Sequence, residues 1–309
     1  MSEVQHYSVA TAKTGFLHHA LRLPEFPRTL VRSRELLWNF ARRDLLARFR
    51  GSLLGVLWVL VHPLFLFSVY FAVFGILFAP ATKLAADGPD PQFAIYLFSG
   101  IVSFSWITES LGTGMAAIVG NANLVKKVRF PCELLPLVPP LVGGVVYVVG
   151  CVVLLVAGLI AGRAEIGPAI AFWPLLVLIH LGFICGLGMF LAAVNVFIRD
   201  VSHLWRVFAQ AWFFLTPIFW ELDLIREKLG AVGLGSLADL LLLNPASPIV
   251  LAQRQVFGIG QDLPPELLAA RYPYSLTTNL MMGGMWAVFF MFVGYGFFSS
   301  RRHKFADLV

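Results

Sequence analysis

Long apolar runs separated by short polar segments make up most of the chain. Six of these runs approach or exceed the ~20 residues that a helix needs to cross the hydrocarbon layer of a bilayer. They cover residues 53–79, 93–119, 134–161, 168–198, 204–220 and 276–299. The fifth run is the weakest, because it is short and leads directly into Glu221 and Asp223. The pattern predicts an all-α integral membrane protein with six transmembrane helices.

The overall composition excludes a water-soluble globular protein. Of 309 residues, 59% are hydrophobic and 13% are charged, and the mean hydropathy is +0.81. An ordinary soluble domain has nearer ~25% charged residues, so this chain has too little polar material to cover such a surface. The first 50 residues contain no apolar core before a small-residue cleavage site, which argues against a cleaved secretory signal.

The positions of the positive charges predict the orientation of the spans. Residues 1–52, 120–133, 199–206 and 300–309 contain 17 of the 23 Lys and Arg residues. Because cytoplasmic loops carry the excess of Lys and Arg, we expect both termini to be cytoplasmic. The predicted organisation is a cytoplasmic N-terminal region at 1–52, a six-span domain at 53–299 and a cytoplasmic tail at 300–309. The net charge of +6 reflects this topology, and no nucleic-acid partner is predicted.

Residues 221–275 are too apolar for a solvated loop and too interrupted by proline for two further spans. The stretch LADLLLLNPASPIVLAQRQVFG contains Asn244-Pro245 and Ser247-Pro248, and a residue before proline is biased away from helix. We predict two short helices that re-enter the outer leaflet, with Asn244, Pro245 and Pro248 at the turn between them. An amphipathic segment on the outer surface is the alternative.

The segment before the first span, RELLWNFARRDLLARFRGS, predicts an amphipathic helix. At 100° per residue a polar stripe separates from an apolar side, and Asp44 and Arg48 have the i,i+4 spacing of an ion pair. The stripe contains Glu35, Asn39, Arg42, Arg43 and Arg50, and the apolar side contains Trp38, Ala41, Leu45 and Phe49. We expect the helix to lie in the cytoplasmic interface. A simple membrane anchor is the alternative to a functional role.

The interior loop at residues 121–133, NANLVKKVRFPCE, combines basic and apolar side chains. Lys126, Lys127 and Arg129 precede Phe130-Pro131, and Leu124 lies just before the lysines. Topology alone would explain the basic residues. An apolar knob within a polar rim is instead typical of a surface that docks on a partner protein. The residues alone leave both interpretations open.

A carboxylate and many aromatic rings inside the predicted spans are candidates for a transport path. Glu109 lies in the second span, where a carboxylate is costly and a functional candidate by default; a structural hydrogen bond or neutralisation is the alternative. Aromatic residues make up 14% of the chain, and an aromatic-lined conduit suits a glycan, since sugar rings present apolar C–H faces. The candidate lining residues are Trp58, Tyr70, Trp106, Glu109, Trp212 and Phe219.

Sequence motifs for nucleotide, metal or nucleophilic chemistry are absent. The chain has no GxxxxGK[ST] phosphate loop and no proposable Ser-His-Asp arrangement, and His62 and His180 are isolated without metal-ligand spacing. The three cysteines are widely spaced and are expected to be unpaired thiols. We therefore predict no catalytic residue, no metal and no cofactor in this chain. If ATP drives transport, another polypeptide binds it together with Mg²⁺.

Four segments, in the same order, resemble the permease subunits of ABC-2 type polysaccharide exporters. They are RFRGSLLGVLWVLVHPL, the stretch from FSGIVSFSWITESL to NANLVKKVRFPCELLP, NVFIRDVSHL, and LLNPASPIV. The resemblance covers residues 34–301. It implies a homodimeric permease of the bacterial inner membrane that binds two copies of a separate ABC nucleotide-binding subunit. A lipid-linked polysaccharide, favoured to be of the O-antigen type, would pass through the dimer interface.

The resemblance also implies roles for particular residues. The interfacial helix would gate the cytoplasmic entrance, and its arginines suit a lipid diphosphate or anionic headgroups; these residues are Glu35, Trp38, Arg42, Arg43, Arg48 and Arg50. The coupling element seated on the ATPase would comprise Asn121, Leu124, Lys126, Lys127, Arg129, Phe130, Pro131 and Glu133, with Arg199 and Asp200 near the same surface. Cys132 departs from the charged or polar residue expected there. The first, second and fifth spans would line the conduit, and the paired short helices would close its outer end.

Two other interpretations stay open from the sequence. An ABC-2 type permease for teichoic acid, capsule or small amphiphiles would share this architecture. A membrane enzyme acting on a lipid-linked sugar would need a carboxylate or His cluster at the interface, and none is apparent. Co-purification of an ATPase subunit that depends on residues 121–133 would distinguish an exporter from an enzyme.

Overall fold

The computed structural model describes residues 15–77, 91–127, 130–164, 166–220, 222–231, 233, 241, 243–260, 268 and 271–309. Within these residues the regular structure is helical, without a β-strand, which confirms the all-α class. The α-helices are α1 Phe16–Ala20, α2 Phe26–Arg32, α3 Arg34–Phe49, α4 Trp58–Tyr70, α5 Gln92–Met115, α6 Ala122–Lys127, α7 Val138–Ile160, α8 Trp173–Phe197, α9 Val201–Leu215, α10 Leu222–Gly230, α11 Ser247–Val256, α12 Leu276–Arg301 and α13 Phe305–Leu308. Short 3₁₀ turns and one π-helical segment, Phe71–Leu77, connect or extend them.

Five helical segments of the described chain are long and apolar enough to cross a membrane. They are Gly55–Phe74, Gln92–Met115, Cys132–Ile160, Pro168–Phe197 and Leu276–Leu308. These segments correspond to five of the six predicted spans. α5 is the most enclosed of them, whereas the segment that contains α4 lies on the outside of the bundle and is largely exposed.

The fifth predicted span forms a shorter helix than the other five. α9 has 15 residues, or about 22 Å of helix, against a hydrocarbon layer of ~30 Å. The helix ends where Pro217 follows Thr216. Thr216 has φ −99° and ψ 140°, the extended conformation that proline imposes on the residue before it. Residues 216–220 continue as irregular chain that is mostly buried, which is the condition for irregular backbone at membrane depth.

Glycines set the closest approaches between helices. A Cβ added at Gly294 of α12 would overlap the carbonyl oxygen of Gly186 in α8. A Cβ at Gly143 of α7 would lie 2.7 Å from Oγ of Ser110 in α5. Small residues let helix backbones approach closely in a membrane, where side-chain packing drives association. The pairs α8–α12 and α5–α7 are accordingly the most extensively packed in the described chain.

A second apolar core lies at one end of the bundle, here named the basal end. It combines side chains from the N-terminal helices, the segment around α6, α8, α12 and the C-terminal helix, including Phe26, Leu124, Phe130, Leu134, Met189, Phe298 and Phe305. α1 packs on α12 so closely that a Cβ at Gly296 would lie 2.7 Å from Cβ of Ala20. The first and last described segments therefore lie at the same end. The opposite end, which holds residues 216–220 and α11, is named the apical end.

Of the predicted pair of short helices, the structure describes the second member, α11. It begins directly after the Asn244-Pro245 turn and has Pro248 in its first turn, where a missing N–H leaves no helical bond unmade. All ten residues of α11 are buried, and it packs against α5, α8 and α12. Burial on all sides is not expected of a helix that lies on a membrane surface. Most of the first member, predicted in the stretch from residue 237 to the Asn244-Pro245 turn, lies outside the described residues.

Candidate functional site

The predicted gate helix, α3, packs one face on the bundle and exposes the other. Ala41 lies in a small core with Val138 and Val142 of α7. Arg48 lies 3.7 Å from Asp44, which confirms the predicted i,i+4 pair. The predicted entrance residues are all exposed: Glu35, Trp38, Arg42, Arg43, Arg48 and Arg50. The exposed fraction of Trp38 is 68%, so its indole stands apart from the packed face, beside the arginines.

α3 also contacts the predicted coupling segment, residues 121–133. The ring of Phe40 meets the ring of Phe130 edge to face, with centroids 6.1 Å apart. The guanidinium carbon of Arg43 lies 5.4 Å from the centroid of the same Phe40 ring. Phe130, predicted as an exposed apolar knob, is half-buried in this contact. The gate helix and the coupling segment are thus joined within one chain.

The coupling segment presents two lysines to solvent. α6 ends with Lys126 and Lys127, and both are exposed. Asn121 turns inward and donates from Nδ2 to the backbone carbonyl four residues earlier, at 2.8 Å. Leu124 is partly buried in the basal core. Arg129 lies outside the described residues. The two lysines are therefore the cationic groups that this segment, as described, offers to a partner.

Glu133 points into the protein. It is 4% exposed, and its Oε1 lies 2.5 Å from Nη1 of Arg302. This ion pair joins the end of the coupling segment, after the half-buried Pro131, to the chain just beyond α12. Removing one partner of a buried pair leaves an uncompensated charge. Glu133 is thus an internal link between the coupling segment and the last span.

Arg199 and Asp200 form the exposed turn between α8 and α9. Phe305 of α13 is fully buried, and its ring lies 6.3 Å from that of Phe197, beside this turn. α13 also contacts α6. The exposed turn and the coupling segment therefore lie at the same basal end, with the C-terminal helix between them.

The predicted conduit-lining residues fall into two groups, of which the first faces outward. Trp58 of α4 is 41% exposed, and Glu109 of α5 is exposed. Tyr70 is half-buried at the end of α4. Phe219 is also half-buried, and it stacks on Phe213 of α9 with ring centroids 6.0 Å apart. These four side chains are at least partly exposed on the outside of the helical bundle.

The second group, Trp106 and Trp212, lies inside the bundle. The indole N–H of Trp106 donates to the Pro140 carbonyl at 2.9 Å, and its ring stacks on Tyr147 with centroids 4.4 Å apart. The indole N–H of Trp212 donates to Oδ1 of Asn244 at 2.7 Å. Both indoles are at most 5% exposed. In this structure they hold helices together.

Asn244 closes the apical end of α9. Its Oδ1 accepts from Trp212 and from the backbone N–H of Ala246, at 2.7 and 3.0 Å. Its Nδ2 donates to the Leu215 carbonyl at 3.2 Å and to Oγ1 of Thr216 at 2.8 Å. The two prolines predicted at the same turn lie within the fold, Pro245 half-buried and Pro248 buried. The turn thus caps a helix end whose carbonyls have no partner within the helix.

Arg254 of α11 is fully buried beside the same irregular segment. It donates to Oγ of Ser99 at 3.0 Å and to the carbonyls of Pro217, Ile218 and Tyr96 at 2.7, 2.6 and 3.2 Å. Its guanidinium carbon lies 3.5 Å from the Tyr96 ring centroid. Sequence reasoning missed this residue. The available signal was a Gln-Arg-Gln triplet inside an otherwise apolar stretch.

The glutamines beside Arg254 extend the polar network through the bundle. The Tyr147 hydroxyl donates to Oε1 of Gln253 at 3.0 Å, and Nε2 of Gln253 donates to the Ser99 carbonyl at 3.0 Å. Nδ2 of Asn279 donates to Oε1 of Gln255 at 2.9 Å. α11 is therefore tied by hydrogen bonds to α5, α7 and α12.

A groove between α4, α5 and α7 opens on the outward-facing side of the bundle. His62, Ser105 and Glu109 line it, above a floor that includes Trp106 and Gly143. The cavity has a volume of about 50 Å³, room for one or two groups the size of a water molecule at ~30 Å³ each. His62 and Glu109 are both exposed. The sequence singled out Glu109 but not its neighbour across the groove.

The described residues offer no composite metal site. Among them, no group of three or more His, Cys, Asp or Glu side chains is placed to hold a metal ion. Cys151 and Cys185 are buried free thiols, and Cys132 is a half-buried one, which confirms the expectation of unpaired cysteines.

Comparison with known proteins extends over nearly the whole chain. The family profile described as "ABC-2 type transporter" matches residues 35–233. The chain is 29% identical over 282 residues to "O-antigen export system permease protein RfbA" of Myxococcus xanthus, which covers 91% of this chain and 98% of that protein. Two Klebsiella pneumoniae proteins with the same name are each 23% identical over 278 residues, covering 89% of this chain and 95% of theirs.

Proposed function

The chain belongs to the ABC-2 type transporter family, and on that premise we propose that it is the permease subunit of an exporter of O-antigen type, lipid-linked polysaccharide. The observation that carries the proposal is the similarity, over 91% of the chain, to a relative named as an O-antigen export permease. As a permease, the chain provides the path for its cargo and is not itself an enzyme.

Membership of this family implies an ABC ATPase partner. We propose that two copies of that subunit bind ATP and Mg²⁺ and act on a homodimer of this chain in the bacterial inner membrane. The absence of a phosphate loop from the sequence supports a separate nucleotide-binding subunit. ATP can shift such an assembly between two conformations only by binding them with different affinity.

The orientation follows from the charges at the basal end. The positively charged segments carry 17 of the 23 Lys and Arg residues. Their described parts belong to this end, so we propose that it faces the cytoplasm. α9 and the buried irregular residues 216–220 would then complete a sixth crossing. α11 would be a re-entrant helix that closes the outer end of the path.

The distribution of exposed polar groups supports a path along α4, α5 and α9. α7 and α12 expose apolar side chains such as Val152 and Met285, which suit lipid. α9 exposes apolar side chains too, including Leu204 and Val207, but it also exposes His203, Arg206 and Gln210, whose spacing places them on one stripe of the helix. The groove with its carboxylate and imidazole lies between α4 and α5. These polar faces would meet those of a second copy around a hydrophilic conduit.

The basal contacts support a route for force from the ATPase. Lys126 and Lys127 would dock on that subunit, and the contact of Phe40 with Phe130 would pass a displacement to the gate helix. The ion pair between Glu133 and Arg302 would pass it to the last span. The exposed arginines of the gate helix would bind the diphosphate of the lipid carrier as it enters.

Deletion of the chain's gene in its host tests the function directly. We expect surface polysaccharide to disappear and lipid-linked polymer to accumulate inside the cell, with recovery when the gene is restored. The proposal fails if the purified chain, without an ATPase, exports or cleaves a lipid-linked sugar by itself.

Reversal of the two exposed lysines tests the coupling surface. The double variant Lys126→Glu, Lys127→Glu should insert normally but uncouple ATP hydrolysis from export. Lys228→Glu in α10 is the matched control, since it reverses an exposed lysine outside the basal end. Normal export by the double variant would contradict this docking surface.

A further inference from the structure

Two charged or titratable side chains at membrane depth share one groove. Within the five described segments long enough to cross a membrane, the Asp, Glu, Lys, Arg and His residues away from the segment ends are His62, Glu109 and His180. His180 is fully buried. The other two are exposed, come from different helices, and line the same small cavity.

Glu109 has no hydrogen-bond or ion-pair partner for its carboxylate among the described residues. Its backbone carbonyl is occupied by Oγ1 of Thr113 at 2.5 Å, but its side-chain oxygens are open to the groove. An exposed, unpaired carboxylate facing lipid tails is unfavourable. The groove therefore faces either water and what water carries, or a polar partner.

We propose that His62 and Glu109 form a subsite that binds sugar hydroxyl groups of the polymer as it moves along the path. This inference rests on the proposed function and adds to it the side chains that contact the cargo. A carboxylate accepts hydrogen bonds and donates none, and its bonds from hydroxyl groups are charge-assisted. The imidazole of His62 offers a donor or an acceptor on the opposite wall.

The chemistry of the groove selects among possible ligands. A phosphate or a carboxylate on the ligand would be repelled by Glu109, whereas a neutral sugar would not. The volume of about 50 Å³ has room for a hydroxyl or hydroxymethyl group. The subsite therefore binds substituents of the polymer as the polymer moves past. It favours uncharged segments of the glycan.

The floor of the groove is rigid. Trp106 is held by its hydrogen bond to Pro140 and by stacking on Tyr147. A Cβ at Gly143 would lie 2.9 Å from Cδ1 of Trp106, so the glycine allows the indole to seat against α7. The hydrogen bond and the stacking hold the indole in one position at the base of the groove.

Thiol accessibility tests whether the groove faces water. Cysteine is placed at position 109, 62 or 288 in a background with Cys132, Cys151 and Cys185 replaced by alanine, in the complex with the ATPase. A membrane-impermeant thiol reagent should label Glu109→Cys and His62→Cys but not Val288→Cys, which lies on the apolar outer face of α12. Labelling of Glu109→Cys as low as that of Val288→Cys would overturn the proposal. So would a disulfide between two copies at position 109 that blocks labelling, since it would make the groove a subunit contact.

Export rates test hydroxyl binding. With equal membrane levels, Glu109→Leu should slow export of the polymer about tenfold, as expected for loss of charge-assisted hydrogen bonds, and Glu109→Gln should fall between it and the wild type. A neutral oligosaccharide should protect His62→Cys, which keeps the Glu109 carboxylate, from the thiol reagent, and a carboxylated one of equal length should not.

Glu227→Gln in α10 is the matched control, because it removes an exposed carboxylate outside the bundle. If the wild type exports polymer and Glu109→Leu exports it at the same rate, the subsite is wrong and the function stands. If the wild type with its ATPase exports no polymer, the function itself is wrong.

Discussion

Two charged side chains adjoin α5, Arg254 from the neighbouring helix α11 and Glu109 from α5 itself. Their surroundings are opposite. Arg254 is fully buried at the apical end and donates to four acceptors on α5 and residues 217–218. Glu109 is exposed in the groove, and its carboxylate has no partner in the described chain. One charge has its partners within the chain, and the other has none among the residues that the structure describes.

The difference separates structural from functional polar groups in this membrane bundle. A buried charge is tolerated only when hydrogen bonds satisfy it, and such a network fixes one arrangement of the backbone. An exposed, unpaired charge on a membrane-crossing helix adds no stability to the fold and has to be explained by what it meets. Substitution should therefore cost stability at the first site and transport at the second.

Arg254→Leu should have the largest effect on stability. It removes the arginine donor from the carbonyls of Pro217 and Ile218 and from the hydroxyl of Ser99, whereas the Tyr96 carbonyl keeps the Ser99 hydroxyl as a donor. Each unsatisfied buried acceptor costs ~1–3 kcal/mol. We expect a loss of about 4 kcal/mol or more, seen as loss of monodisperse protein in detergent and a sharply lower thermal midpoint. A stable Arg254→Leu protein would break the comparison.

Asn244→Ala should have the next largest effect. The substitution removes two acceptor and two donor contacts at the end of α9 and leaves the Trp212 indole N–H unpaired. We expect a loss of about 2–3 kcal/mol, measured as a lower midpoint in thermal unfolding followed by size-exclusion chromatography. Asn244→Asp keeps the Oδ1 acceptor and should recover part of the lost stability.

Gly100→Ala should act on Arg254 without touching its charge. A Cβ at Gly100 would lie 2.8 Å from Nη2 of Arg254 and 3.1 Å from the Cα of Ile218. Because the second contact is backbone, the strain cannot be relieved by the arginine alone, and we expect a loss of about 1–2 kcal/mol. Gly284→Ala on α12 is the matched control, since a Cβ there meets nothing within 4 Å and should leave the thermal midpoint unchanged.

Hydropathy and charge predicted much of this fold because both act locally. Five of the six predicted spans correspond to long apolar helices, and the resemblance to ABC-2 permeases is confirmed by the family match. The ion pair of Asp44 with Arg48 follows from helical spacing alone. The fifth span was harder to predict, since its helix ends before Pro217. Residues 216–218 are held by Asn244 and Arg254, which are far away in sequence.

Contacts between distant segments were beyond sequence reasoning. Glu133 and Arg302 are 169 residues apart, and nothing local marks them as a pair. The rotation of a helix about its axis is likewise set by packing, so Trp106 and Glu109, three residues apart on α5, differ in burial although both were candidates for the conduit. From the sequence, His62 was only an isolated histidine, and the structure places it in the same groove as Glu109.

Glu109→Leu should have the smallest effect on stability, which is the sharpest test of the comparison. The Glu109 carboxylate makes no hydrogen bond or ion pair with the described residues, so the substitution breaks none. It also replaces a charge that is unfavourable on a membrane helix. We expect the thermal midpoint in detergent to stay within the range of a surface substitution, about ±0.5 kcal/mol, while export falls. A loss of stability comparable to that of Arg254→Leu would show that Glu109 has a structural partner after all, and the two sites would no longer differ in kind.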